Sequence, residues 1–459
     1  MRKIAKALAS IKIAVVVIVG MGILTAAGTI TEARYNDAEM AQQLVYKSPF
    51  MYVVFGLLCV NLIAVMVDRW PWKKHHTGFV TAHIGILILL LGSWITKEYG
   101  IDGSMAFGMG ESSRSITVPE RNLTVYASTD GMSFTPIAER ETDFIRNPPT
   151  AENPIELPVG SDRLKIVEYH HFAFKDVKIS ASEEKNEGPA VRFQLENPRV
   201  SVTEWLRRDA TKAETQMNLG PARVVLARKI GPPSGQNEII LAYDEKSEKL
   251  LYAIYGKDGK TVAKGETHES DTLDTTWMGL KFRIFRFYPH AKEEISFIPT
   301  GRSTPAATSA LRFELNGASY WLGLNSVQRI FLNDKVYFVS FGNRRIDLNF
   351  PIYLKKFTIG TYQGTDQPSS YESLVFVQGL GDVLISMNEP LKHDGFTFYQ
   401  SSFERDETGK PVVSILSVNH DPGRWLKYLG SMLIVAGAVI LFWFKRAKIF
   451  TSARKGVAS

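Results

Sequence analysis

The residue with the clearest chemistry is His83, set in an otherwise apolar run, Thr81-Ala-His-Ile-Gly-Ile-Leu-Ile-Leu-Leu-Leu91. An ionisable group inside hydrocarbon is costly, so it normally faces protein or a cavity and has a partner. On a helix, Phe79, Ile86, Leu87, Leu90 and Trp94 share the face of His83. Gly78, Gly85 and Gly92 recur every seven residues on the opposite face, where a second helix could approach closely. One imidazole among large apolar and aromatic groups suits a flat, greasy metalloporphyrin, whose iron takes an imidazole nitrogen as axial ligand. Two other roles stay open: a hydrogen bond to a neighbouring helix, or proton relay, although no acidic partner lies within the apolar runs. A single histidine cannot complete a bis-histidine haem site. A second ligand, if there is one, comes from another chain.

The other histidines offer less. His170-His171 are adjacent, and neighbours on a strand point to opposite faces, so they make poor co-ligands. His268, His290 and His393 are isolated and read as structural. His420 lies just before the last apolar segment, where it could face a membrane partner. His75-His76 sit in a short basic loop that is either solvated or meets an anionic ligand. The single cysteine, Cys59, excludes an intramolecular disulfide and any CxxC thiol pair. Cys59 and Asn61 read as packing residues. No GxSxG, phosphate loop or metal-spaced cluster is present, so no catalytic residue is assigned.

The elements that must position His83 are membrane spans. About 20 apolar residues are needed to cross a bilayer, and four segments qualify: about 11–30, 50–67, 78–96 and 425–444. The first has a basic start, as a signal peptide has, but its core is long and two spans follow closely. Lys and Arg collect in the N-terminal tail (Arg2, Lys3, Lys6), the second loop (Arg69, Lys73, Lys74) and the C-terminal tail (Lys445, Arg446, Lys448, Arg454, Lys455). These basic parts mark the cytoplasmic side, so both termini are expected inside and residues 98–424 outside. Trp70, Trp72, Trp94, Trp425 and Trp443 stand near span ends, as interfacial anchors do. His83 lies about 7 Å past the start of its span, nearer the cytoplasmic surface than the midplane. The net charge of +7 is concentrated beside these segments, so it speaks for membrane orientation and not for nucleic acid.

Residues 98–424 read as strands and turns. Val125-Tyr126 precede Asp130-Gly131; Leu250–Tyr255 leads to Asp258-Gly259; Ile330–Leu332 meets Val336–Val339 across Asn333-Asp334. Asp-Gly between apolar runs is a hairpin signal. Polar stretches at 182–189, 231–238 and 303–308 read as loops or boundaries between two lobes. The expected fold is an α-helical membrane protein with four transmembrane helices and a large, mainly antiparallel β exported domain. Its division is a membrane domain over 1–97, an extracytoplasmic domain over 98–424, and a final helix with a cytoplasmic tail over 425–459.

In order along the chain, several stretches resemble the ResB (CcsB) family of System II cytochrome c biogenesis. They are Leu8–Ala14, Gly28-Thr-Ile30, His83-Ile-Gly85 with Leu91-Gly92, Tyr99–Gly103 through Gly110-Glu111, and Asn349–Gly360. Ser369–Ser373, Asn388–Leu391, Gly395–Ser402 and Asp421-Pro-Gly423 complete the series. The late stretches read as strand and turn chemistry. The resemblance implies a bacterial inner-membrane subunit that works with a ResC (CcsA) partner to carry haem across the membrane. The pair presents it to exported apocytochrome c, whose CxxCH cysteines receive it. The family's transmembrane histidine falls on His83, which implies a transient haem b shared with the partner. The tryptophan-rich haem-handling motif of ResC is absent here, which implies a separate partner. On this reading the chain is a non-catalytic subunit of a haem-attachment complex. The competing reading is a membrane-anchored ligand-binding or sensor protein with no haem role.

Overall fold

The computed structural model describes residues 6–128, 133–184, 186–220, 222–332, 335–364, 367–405 and 411–456. The chain forms two compact units, Met1–Ala173 with Pro299–Ser459, and Phe174–Ile298. The first contains helices α1 (Ile11–Tyr35), α2 (Ala38–Ala41), α3 (Pro49–Asp68), α4 (Thr77–Tyr99) and α5 (Arg424–Gly456). Four stretches, Ile11–Tyr35, Pro49–Asp68, Lys74–Tyr99 and Arg424–Trp443, are long and apolar enough to cross a membrane, as the sequence predicts. The helices run past the apolar cores because caps end them, not hydropathy. Ser10 accepts from the Lys12 N–H to start α1, and Asn36, in the left-handed region (φ 52°), stops it. Ser48 caps α3, with Pro49 in its first turn.

The glycine face of α4 finds its partner in α5, which carries its own seven-residue series, Gly423, Gly430 and Gly437. A Cβ on Gly78 would stand 2.7 Å from the Gly437 carbonyl oxygen, and one on Gly85 2.8 Å from that of Gly430. One on Gly92 would stand 3.0 Å from that of Gly423. The two helices therefore cross backbone to backbone, antiparallel, with glycine against glycine at three successive levels. On α3, buried Asn61 donates to the Leu8 carbonyl oxygen at 2.6 Å, which ties this helix to the segment before α1.

Only Gly100 separates α4 from strand Ile101–Gly108, and only Asp421-Pro-Gly423 separates strand Pro411–His420 from α5. These strands pair antiparallel from Ile101 opposite His420 to Gly108 opposite Val413. The helix pair thus continues directly into a β ladder. That ladder lies within a ten-stranded sheet built on two long strands, Ser112–Ser128 and Lys335–Thr361. Alternating side chains of these strands fill two cores, one around Ile116, Ile352 and Leu416, the other around Leu123, Val339 and Phe313.

The expected pairing of 326–332 with 335–361 is present, and so is that of 112–128 with 135–141. Their turns, Asn333-Asp334 and Asp130-Gly131, lie outside the described residues. The third hairpin joins Lys249–Tyr255 to Thr261–Thr267, with Gly259 at φ 73°, a conformation that favours glycine.

The second unit has a five-stranded and a four-stranded sheet around Val191, Phe193, Val224, Ile239, Ile254 and Phe282. Strands Ala222–Ala227 and Asn237–Asp244 run parallel. They are an exception to the mainly antiparallel expectation, reached through the polar 231–236 stretch without a helix.

Candidate functional site

His83 lies in the second turn of α4. Its Nδ1 is 2.9 Å from the Phe79 carbonyl oxygen. A carbonyl oxygen can only accept, so Nδ1 carries the proton and donates. The neutral ring is thereby held in the tautomer whose Nε2 has a free lone pair. Metal-binding histidines are oriented in this way, with the second nitrogen bonded to a backbone carbonyl. Nε2 makes no hydrogen bond or ion pair among the described residues.

The Phe79 ring packs on the imidazole, with centroids 3.8 Å apart and planes at 38°. The Arg69 guanidinium carbon lies 3.7 Å over the Phe79 ring centroid. Of the face read from the sequence, His83, Phe79, Ile86, Leu87 and Leu90 are half-buried, while Trp94 is exposed at 49%. This face is opposite the glycine seam, so α5 does not cover it. The site holds one nitrogen donor in apolar surroundings, and among the described residues no group of three or more His, Cys, Asp or Glu side chains could hold a metal. One imidazole nitrogen in apolar surroundings is chemically compatible with a metalloporphyrin, to which His83 would supply a single nitrogen ligand.

Four other histidines are tied to protein groups. His170 Nε2 meets Glu168 at 3.0 Å, and its ring stacks on Trp321. His171 Nδ1 bonds the Tyr169 hydroxyl at 2.9 Å, and its Nε2 is 3.6 Å from Asp37. His290 bonds the Glu187 carbonyl oxygen, and His420 that of Gly395.

Sequence reasoning missed a polar cluster between the first loop and the sheet. Glu39 pairs with Arg121 at 3.1 Å, and Arg121 also donates to Asn343 at 2.9 Å. The Ser303 N–H donates to the Tyr35 carbonyl oxygen at 2.8 Å. The loop after α1 therefore lies on the same side of the helices as the sheet. Burial pushes the Tyr169 hydroxyl up to about 12. Burial also raises the Glu39 carboxyl, outweighing Arg121. Such a cluster joins residues some eighty positions apart or more, and no local pattern announces it.

Two of the late stretches meet in a buried network. Ser373 Oγ donates to Gln400 Oε1 at 2.6 Å and is 2.8 Å from Ser414 Oγ. Their reading as structural chemistry is consistent with this geometry.

Residues 325–413 match the model of the ResB-like family. They comprise the strands of the ten-stranded sheet from Ser326–Leu332 through Phe396–Arg405, with the start of Pro411–His420. A stretch of 121 residues is 33% identical to Protein NrfI of Wolinella succinogenes. It covers 25% of this chain and 13% of that protein. The family segment does not include His83.

Proposed function

We propose, for a chain whose residues 325–413 resemble the ResB-like family, a role in cytochrome c biogenesis as a haem-handling membrane subunit. The observation that carries the reading is the state of His83: Nδ1–H is satisfied by the Phe79 carbonyl, which leaves Nε2 without a partner on a half-buried apolar helix face away from the glycine seam. Nε2 would ligate the iron of haem b on one side, and a histidine of a ResC-type partner would complete the site. Haem is the cargo here, and it supplies the groups that become the thioether links of the acceptor cytochrome. This chain's residues bind and orient it. Phe79, Ile86, Leu87, Leu90 and Trp94 offer apolar contact, and the α4–α5 seam holds the histidine at a fixed depth.

The charge distribution supports a bacterial inner-membrane setting with both termini cytoplasmic and residues 98–424 outside. The β domain then holds apocytochrome c near an outer haem position. Photo-crosslinkers placed across residues 98–424 test this directly. Crosslinks to apocytochrome c are expected. Crosslinks found on the partner alone would remove the positioning role.

A further inference from the structure

Arg69 follows the last residue of α3, and its guanidinium sits on Phe79, which in turn packs on His83. Cation, aromatic ring and imidazole are thus in consecutive contact. A guanidinium lying over a ring uses its flat face there and keeps its in-plane N–H donors free. Those donors match a carboxylate in bidentate geometry. Among the described residues Arg69 forms no ion pair, although Asp68 is its neighbour in sequence. Its charge is exposed at the end of the helix pair nearest His83.

We propose that Arg69 binds a propionate carboxylate of the porphyrin whose iron His83 ligates. The inference rests on the haem reading above and deepens it. Arg69 fixes which edge of the porphyrin faces the cytoplasmic side, and it selects for a ligand with free carboxylates. Phe79 positions both groups: its carbonyl sets the tautomer of His83, and its ring supports Arg69.

The test compares haem with haem dimethyl ester, which keeps the ring and iron but lacks the acid groups. The complex of the full chain with its partner is depleted of haem and titrated with each, with occupancy read from the Soret band. Wild type should prefer haem by about tenfold or more, the effect of one charge-assisted contact. Arg69→Gln should weaken haem binding alone and bring the two ligands level, and Arg69→Lys should fall between. Co-purification of the partner reports that each variant is folded. An unchanged preference in Arg69→Gln, with uptake still dependent on His83, overturns this inference alone and leaves Arg69 to lipid phosphates. No uptake of either ligand by wild type overturns the haem reading and this inference together.

Discussion

Thr96 Oγ1 donates to Asp421 Oδ1 at 2.6 Å, joining residues 325 positions apart in the chain. The other carboxylate oxygen takes Lys427 Nζ at 2.7 Å. This knot closes the end of the α4–α5 pair where both helices meet strands. Below it the glycine levels set the helix separation, and on the far face of α4 stands His83. The two helices form one packed element that holds His83 at a fixed position along α4.

The knot predicts an acid dependence. Burial works to raise the Asp421 carboxyl, but hydrogen bonds from Lys427 and Thr96, with the charges of Lys427 and Arg424, hold it below the usual carboxylate range. A depressed carboxyl contributes stability that is present above its unfolded value and lost as pH falls through the folded one. Asp421→Asn should lower the Tm in detergent at neutral pH, costing roughly 1–3 kcal/mol. The gap to wild type should narrow below about pH 4. Thermal melts of both proteins across this range check it.

The glycine seam predicts a steric effect. A Cβ at Gly85 would be 2.8 Å from the Gly430 carbonyl oxygen, which is backbone and cannot swing aside. Gly85→Ala should destabilise by roughly 1–3 kcal/mol, and Gly85→Val by more. Gly56, with nothing within 4 Å of its Cβ position, is the control: Gly56→Ala should be neutral or slightly stabilising. Tm and membrane accumulation are the readouts.

The buried Ser373–Gln400–Ser414 network predicts a loss confined to the ten-stranded sheet. Gln400→Ala leaves both hydroxyls short of a partner in a site that water does not reach. The cost should be roughly 1–3 kcal/mol. Limited proteolysis should show the sheet opening earlier, while the four apolar helices stay protected in detergent.

Arg121 predicts a local effect at the first loop. Arg121→Ala removes the partner of half-buried Glu39, and a charge left alone in such a place is costly. Protease cleavage within 36–48 should become faster, with the second unit, 174–298, unaffected.

The membrane half was the more legible part. A span needs a long apolar run, so four of them stand out locally, and Gly78, Gly85 and Gly92 announce a close helix partner. The partner itself was not identified, although Gly423, Gly430 and Gly437 repeat the same spacing, because nothing local pairs helices separated by more than three hundred residues. Asp258-Gly259 gave its hairpin correctly, since a turn is a local event. The parallel pair of 222–227 with 237–244 was missed, because strand direction depends on long-range packing. His83 was visible as an ionisable residue in hydrocarbon. Its tautomer is not legible there, since it depends on the position of the Phe79 carbonyl, and in the sequence Arg69 is one more basic residue of the second loop.

The most direct test is the visible spectrum of the complex between this chain and the ResC-type partner proposed for it, with and without His83→Ala. The account predicts a bis-imidazole haem spectrum that weakens or shifts in the variant and returns with added imidazole. An unchanged spectrum and full haem occupancy in His83→Ala would contradict it, and would leave the histidine with a packing role on α4.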